Sequence, residues 1–405
     1  MGFLSATEQY KILTENISEI ITDEEFRGKL ERSVRENKPL RCKLGIDPSA
    51  PDLHIGHAVV LHKLRQFQDL GHHVVLIIGD FTGMIGDPTG RSEMRKQLTE
   101  KEVMENARTY QEQIFLILDK DRTEMVFNSE WLAKLNFADV IKLASQLTVA
   151  RMMEREDFDK RYKENIAIGI HEFFYPLMQG YDSVAVRADI EFGATEQRFN
   201  LLMGRQLQRD YGQEPQVAFT MPILVGTNGV EKMSKSLGNY IGLTESPDQI
   251  YGKAMSIPDQ LMEEYFRLAT TLPSGEIDSL LESLKKGEMH PRDAKMYLAR
   301  ELVTLYHDDK AARAAEDNFK QVFQKGQMPS EMESFLFKGP LPLVAVMVDA
   351  GLSSSKSEAR RLIKQGGVKV DGDIVDSIDY ELKQQDDKDY IIQVGKRKFA
   401  RVKVN

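Results

Sequence analysis

The chain has 405 residues, 41% of them hydrophobic and 29% charged, with a net charge of −9. That apolar share supplies cores for two or three domains and excludes a wholly disordered chain, while the acidic balance does not advertise nucleic-acid binding. Cys42 is the only cysteine, which excludes an internal disulfide and a cysteine-built zinc site and favours a reducing compartment. The N-terminal residues show no signal-peptide or myristoylation pattern, and no apolar run approaches a membrane span. A soluble, cytoplasmic protein without membrane contact is expected.

Residues 1–39 read as polar amphipathic helix, best defined over 8–21 and closed by Pro39. An apolar strand follows over 40–46 and ends at Asp47. Pro48, Pro51 and Asp52 then make a turn, and a helix runs from about His54 to Gly71. Strand, turn and helix N-terminus form a phosphate-binding corner, because free N–H groups and the helix dipole attract anions. His54 and His57 are three apart and share a helical face. Gly56 between them leaves room for a flat ring against the backbone. The same tetrapeptide also fits an ordinary capped helix.

Residues 72–78, His-His-Val-Val-Leu-Ile-Ile, read as a second buried parallel strand. The loop 79–91 has glycines at 79, 83, 86 and 90 but neither a dinucleotide fingerprint nor a P-loop ending. Its Asp80 and Asp87 suit an ammonium or a ribose; Arg91 and Arg95 suit phosphate. Residues 99–170 read as a mostly helical insertion with a strand near 125–128, carrying no evident chemistry and offering an oligomer interface. Its charged run 151–162 reads as solvated or interfacial.

Residues 171–181 return to helix, and Tyr175, Gln179 and Asp182 recur on one face. Buried there they require partners, from a polar ligand or from one another. A strand over 183–190 leads to the turn 191–197, where open α/β sheets hold ligand contacts. After a strand at 219–225 comes Glu231-Lys-Met-Ser-Lys-Ser-Leu-Gly238, a cationic, hydroxyl-rich loop suited to gripping and releasing a polyphosphate.

Residues 246–325 read as helices over 262–271, 277–286, 291–307 and 311–324. Residues 326–342 carry glycine and proline and read as a linker. The tail 343–405 predicts helices at 343–349 and 355–367 and short strands at 368–370 and 373–375. Residues 341–405 hold twelve Lys and Arg against ten Asp and Glu, leaving 42 against 53 for the rest. Lys356, Arg360, Arg361 and Lys364 lie near one helical face, a plausible reader of RNA backbone.

His54-Ile-Gly-His57 followed by Lys232-Met-Ser-Lys-Ser236 resembles the paired signatures of the class I aminoacyl-tRNA synthetases. With the Asp80–Arg91 loop, the Tyr175/Gln179/Asp182 face and the Gly193–Gln197 turn, the match is to the bacterial tyrosyl-tRNA synthetases. The tail resembles their small S4-type RNA-binding module. The resemblance implies a Rossmann-like parallel-sheet catalytic domain over 1–245 with the insertion 99–170, an α-helical anticodon-binding domain over 246–325, the linker 326–342, and an α+β RNA-binding domain over 343–405. It implies ATP as a substrate with Mg²⁺, no structural metal, L-tyrosine and tRNA(Tyr) as partners, and a homodimer.

Carried over by residue, the resemblance implies that Asp182 accepts from the tyrosine hydroxyl, that Asp87, Tyr175 and Gln179 hold the ammonium, and that Gln197 helps place the carboxylate. Gly45, Asp47, Gly56 and His57 lie along ATP. His54, Lys232, Lys235 and Ser236 bind phosphates as pyrophosphate leaves, with Arg91 and Arg95 as further phosphate ligands. Two positions depart from the pattern. Lys43 stands where many relatives have a tyrosine near the substrate hydroxyl, and either meets the substrate or pairs with Asp182. Glu196 stands where a ribose-binding aspartate is usual. Asp182 and the RNA module argue against the related tryptophanyl enzymes, and both intact signatures argue against a non-catalytic RNA binder.

Overall fold

In the computed structural model, which describes residues 3–48, 52–88, 99–324, 332–384, 389–395 and 398–404, the chain forms two compact units, Met1–Ala312 and Arg313–Asn405. The apolar runs near 41 and 73 become central strands of a six-stranded sheet in the first unit. Its strands are β1 (Glu19–Ile21), β2 (Arg41–Ile46), β3 (His73–Ile78), β4 (Thr123–Phe127), β5 (Ile190–Ala194) and β6 (Val217–Met221). Their order is β1-β6-β5-β2-β3-β4, parallel except for β1 against β6. The order reverses between β2 and β5, the switch point beside which such sheets bind ligands.

Burial on both faces explains the continuous apolar runs: Val74 to Ile78 are all inaccessible to solvent. Phe26 and Phe67, from the helices Asp23–Glu36 and Ile55–Asp69, meet Phe219 and Phe192 edge-on at 4.7 and 5.1 Å.

Three expected elements come out differently. The expected helix over 8–21 stops at Leu13; Asn16 is left-handed (φ 54°), and Glu19–Ile21 pairs with Thr220–Ala218. The expected strand over 183–190 is instead the end of the helix Phe174–Val186, closed by a left-handed Arg187. Val184 there packs in one cluster with Met203 and Leu207 of the helix Arg198–Asp210, a contact the local Ser-Val-Ala-Val sequence does not reveal. The last central strand begins at Val217 and ends before Pro222, which has no N–H to pair.

The register puts Lys43 of β2 beside Glu191 of β5. Their side chains are wholly buried, with Nζ 2.8 Å from Oε1. Lys43 also donates to Ser183 Oγ at 2.7 Å and to the Gln179 carbonyl at 3.0 Å. Glu191 further accepts from Gln179 Nε2 at 3.2 Å, from Ser183 Oγ at 3.0 Å and from Gln216 Nε2. The pair therefore joins both strands of the switch point to the helix Phe174–Val186.

Of residues 246–325, expected as a separate helical domain, 246–312 fall within the first unit and include the helices Pro247–Ser256, Met262–Ala269, Ser274–Lys286 and Pro291–Tyr306. In the second unit, strands Asp373–Ile374, Val368–Val370, Tyr390–Val394, Lys398–Val404 and Ser334–Phe337 form one sheet in that order. Residues 334–337, inside the expected linker, are thus a strand of this sheet, paired parallel to Arg401–Val404. The helices Leu343–Asp349 and Lys356–Lys364 share a core with the sheet through Val346, Ile363, Val368, Ile392 and Val402.

Removing one member of a wholly buried ion pair strands the other charge, at a cost of about 3–5 kcal/mol. Lys43→Met is expected to lose that much stability in urea unfolding, and Lys43→Met with Glu191→Gln to recover most of it. Equal stability of the single variant and the unchanged chain would show that the pair does not hold the sheet.

Candidate active site

The corner after β2 is built as the residues suggest. His54 is extended (φ −127°, ψ 167°) and precedes the helix Ile55–Asp69. Its backbone N–H donates to His57 Nδ1 at 3.3 Å, and the two imidazoles lie 3.8 Å apart. Burial first, then the neighbouring His57 ring and the Lys235 ammonium, hold His54 down at about 2. Burial and Lys235 hold His57 at about 4. Both rings are neutral at neutral pH, so they offer N–H donors rather than cations. The His54 Nδ1 atom is buried and has no partner among the described residues. A β-carbon on Gly56 would lie 3.0 Å from that ring and 3.6 Å from Met233.

The first signature segment meets the stretch just after the second, 241–243, through backbone. His54 bridges to Gly242, Ile55 N–H donates to the Ile241 carbonyl at 3.0 Å, and Leu243 N–H to the Leu53 carbonyl at 3.1 Å. Met233 is buried against this seam, while Val230 is 83% exposed. The lysines of the loop are tied in this conformation. Lys232 Nζ lies 2.8 Å from Glu196 Oε2, so the carboxylate expected at the ribose is engaged by a signature lysine. Lys235 donates to the Asp52 carbonyl, and burial lowers its pKa against the pull of Asp52. The Ser234 and Ser236 hydroxyls lie 2.9 Å apart.

Beside this corner, Asp47 at the end of β2 accepts from Thr82 Oγ1 at 2.7 Å and from the Tyr175 hydroxyl at 2.9 Å. A β-carbon on Gly79 would lie 1.9 Å from the Asp47 carboxylate, so this approach needs glycine. Gly45 is exposed, and a β-carbon there would meet no atom within 4 Å. Asp80 accepts from the backbone N–H groups of Phe81 and Ser129, both at 2.9 Å, and thereby shapes its own loop. Asp87 accepts from Gln197 Nε2 at 2.7 Å. Arg91 and Arg95 lie outside the described residues.

Asp182 is 3% exposed and is held by two residues that the sequence reading passed over. Trp131, the only tryptophan, donates Nε1–H to Oδ1 at 2.8 Å; Asn128 donates to Oδ2 at 3.3 Å and to Thr82 at 3.0 Å. The insertion thus does carry site chemistry. Its signal was position: Asn128 directly follows β4, at the same sheet edge as Asp47 and Gly79. Lys43 bonds to Glu191 and not to Asp182, which removes the second of the two roles left open for it. Glu191 was missed as well, although it is the one charge in β5 and Lys43 the one buried charge in the adjacent β2. Gln179, expected at an ammonium, turns its amide onto Glu191. Burial pushes the Asp182 carboxyl up to about 7, against the Lys43 charge and the two donors. Burial and the nearby Asp47 push the Tyr175 phenol well up, so it remains a hydroxyl donor.

In the second unit, Ser355 caps the helix Lys356–Lys364 by accepting from Glu358 N–H. Ala359 and Ile363 face the core, and Lys356, Arg360, Arg361 and Lys364 are exposed.

The family model for class I tRNA synthetases of the tryptophan and tyrosine group matches residues 35–324, and that for the S4 domain matches 341–388. A tyrosine–tRNA ligase of Moorella thermoacetica is 58% identical over 395 residues, 97% of this chain and 95% of that one. The chain belongs to the tyrosyl-tRNA synthetases. A Thermotoga maritima tyrosine–tRNA ligase is 53% identical over 98% of both chains. The tyrosyl-tRNA synthetase of Archaeoglobus fulgidus, solved in complex with L-tyrosine, is 25% identical with a TM-score of 0.62, covering 77% of this chain and 99% of that one. The activity is therefore ligation of tyrosine to tRNA, with ATP as a substrate. The Rossmann-like α/β class and the S4 module agree with the sequence expectation. No helix among the described residues is long and apolar enough to cross a membrane.

The raised Asp182 pKa sets a pH dependence. Its charged form dominates above about pH 7 and is lost below it. A carboxylate accepts from a phenol better than a carboxylic acid does. Preference for tyrosine over phenylalanine in pyrophosphate exchange is expected to fall as pH drops from 8 to 6, by roughly the tenfold that one charge-assisted hydrogen bond supplies. Asp182→Asn is expected to show a small, pH-independent preference. A flat profile in the unchanged enzyme would contradict this role.

Proposed function

We propose that tyrosine lies with its hydroxyl on Asp182 and its ammonium near Asp87 and Tyr175, with Gln197 on the carboxylate side. The observation that carries this reading is the buried Asp182 carboxylate, aimed by Trp131 and Asn128, on the same helical face as Tyr175. Phenylalanine would leave that carboxylate without its hydroxyl partner, so it is rejected more strongly than a missing contact alone would require. Gln179 acts in this reading through the Lys43–Glu191 pair, which seats the helix, and Lys43 does not meet the substrate.

ATP enters with Mg²⁺ as part of the substrate. It runs along Gly45, Asp47, Gly56 and His57, with its phosphates toward His54, Lys232, Lys235 and Ser236. A tyrosine carboxylate oxygen attacks the α-phosphorus, the bond to the bridging oxygen breaks, and pyrophosphate leaves. Catalysis comes from positioning and from stabilising charge on the leaving group. Neutral His54 and His57 suit this task, since they donate hydrogen bonds without adding a fixed charge that would trap pyrophosphate. A hydroxyl of the terminal tRNA adenosine then attacks the acyl carbon, and AMP leaves. In this scheme Lys232 leaves Glu196, and Lys235 leaves the Asp52 carbonyl, when the phosphates arrive. Glu196 is then released toward the ribose. Residues 246–325 meet the anticodon region, and the exposed Lys356, Arg360, Arg361 and Lys364 meet tRNA backbone, in a cytoplasmic enzyme.

The test is amino-acid-dependent pyrophosphate exchange across all twenty amino acids, with activity expected for tyrosine alone. Lys235→Ala is expected to slow adenylate formation by about 10²–10³-fold, the scale of one lost transition-state donor, with tyrosine affinity unchanged. An equal loss in affinity would place Lys235 in ground-state binding instead.

We further propose a homodimer through the insertion 99–170. Phe137 is 79% and Ile170 78% exposed there, with Ile141, Val149 and Tyr162 also exposed. Large apolar side chains gathered on one insertion suit a covered surface. Sedimentation at micromolar concentration is expected to give a dimer, and Phe137→Asp with Ile170→Asp to shift it toward monomer. A stable monomer of the unchanged chain would refute the interface.

A further inference from the structure

We propose that Arg155 and Asn200 are positioning residues for the amino-acid ammonium, acting through a one-way chain of hydrogen bonds that ends on Asp87. The proposal rests on the reading of Asp87 as an ammonium residue.

Arg155 belongs to the charged run that the sequence suggests is solvated or interfacial, yet it is 4% exposed. Its Nε and Nη2 donate to the two oxygens of Asp157 at 3.0 and 2.7 Å. Its guanidinium carbon lies 4.6 Å from the ring centre of Phe158 and 5.7 Å from that of Phe199. Held in this way, Nη1 donates to Asn200 Oδ1 at 3.3 Å. Asn200, 1% exposed, donates Nδ2–H to Gln197 Oε1 at 2.8 Å. Gln197 donates Nε2–H to Asp87 Oδ2 at 2.7 Å.

The chemistry of the two ends fixes the direction of this chain. A guanidinium only donates and a carboxylate only accepts. The two amides between them are each nearly symmetric in shape and by themselves could face either way. Arg155 requires the Asn200 oxygen, which leaves the Asn200 N–H for Gln197. The oxygen of Gln197 is thereby used, so its N–H turns to Asp87. With the last amide reversed, the Gln197 carbonyl would face the Asp87 carboxylate and repel it. The guanidinium on the insertion thus settles which way an amide points beside the substrate, two hydrogen bonds away, and holds the Asp87 carboxylate by a charge-assisted bond. A merely structural Arg155 would need only Asp157 and the aromatic rings.

The test uses the full chain and three probes: L-tyrosine, tyramine, which keeps the amine but lacks the carboxylate, and para-hydroxyphenylpropionate, which keeps the carboxylate but lacks the amine. Asn200→Asp preserves shape and still accepts from Arg155, but as a carboxylate it cannot donate to Gln197. Its affinity for tyrosine and tyramine is expected to fall about tenfold, the loss expected when one charge-assisted hydrogen bond is disordered, with the amine-free probe, whose carboxylate also lies toward Gln197, losing clearly less. Arg155→Met is expected to behave the same way, and Arg155→Lys, still only a donor, to stay near the unchanged enzyme. Equal loss on all three probes, or no loss on any, overturns the proposal. If Asn200→Asp fails to fold, the Arg155→Met and Arg155→Lys pair decides by the same pattern. Asp87→Asn separates the underlying reading: unchanged tyramine binding there would show that Asp87 is not the ammonium residue and would remove the proposal with it.

Discussion

The Lys43–Glu191 ion pair is the constraint on which the pocket depends. It lies where the strand order of the sheet reverses, with both charges out of water. Two buried charges are tolerable only when paired and fully hydrogen-bonded. The partners that satisfy them come from the helix Phe174–Val186 through Gln179 and Ser183, and from Gln216 just before β6. Satisfying the pair therefore sets the depth and rotation of the helix that carries Tyr175 and Asp182. In this chain the lysine at position 43 is spent on Glu191 beneath that helix, while Asp182 is held by Trp131 and Asn128.

The electrostatics of the two halves of the site differ for a physical reason. One half is acidic, with Asp47, Asp87 and Asp182 each accepting from neutral donors. The other half keeps its cations on an accessible loop, where Lys232 and Lys235 rest on Glu196 and the Asp52 carbonyl. Partners this exposed contribute little net stability, so exchanging them for a polyphosphate costs little. The seam His54–Gly242 anchors the chain just beyond that loop.

Most of the fold and much of the site were legible in the sequence. The buried strands at 41–46 and 73–78 announce themselves because burial on both faces demands an unbroken apolar run. The caps and glycines of the tail fix its helices locally: Ser355 starts one and Gly351 follows the other. The signature segments, the Tyr175/Asp182 face and the basic face of the tail follow from spacing alone, because helical neighbours three and four apart are set by backbone geometry.

What only the tertiary structure decided are the partners, since a partner is chosen by packing between segments far apart in the chain. Ser-Val-Ala-Val at 183–186 suits a strand by propensity, but its contact with Met203 and Leu207 keeps it helical. Lys43 has two acids within electrostatic reach, and the parallel register of β2 and β5 gives it Glu191 rather than Asp182. Trp131, Asn128 and Arg155 look inert in the insertion, and the strand order carries them to the pocket. Local sequence determined the elements and their faces because those depend on interactions within a few residues. The hydrogen-bond partners of each buried charge were left to the fold, because a buried polar group must take whichever partner the packed core brings within reach.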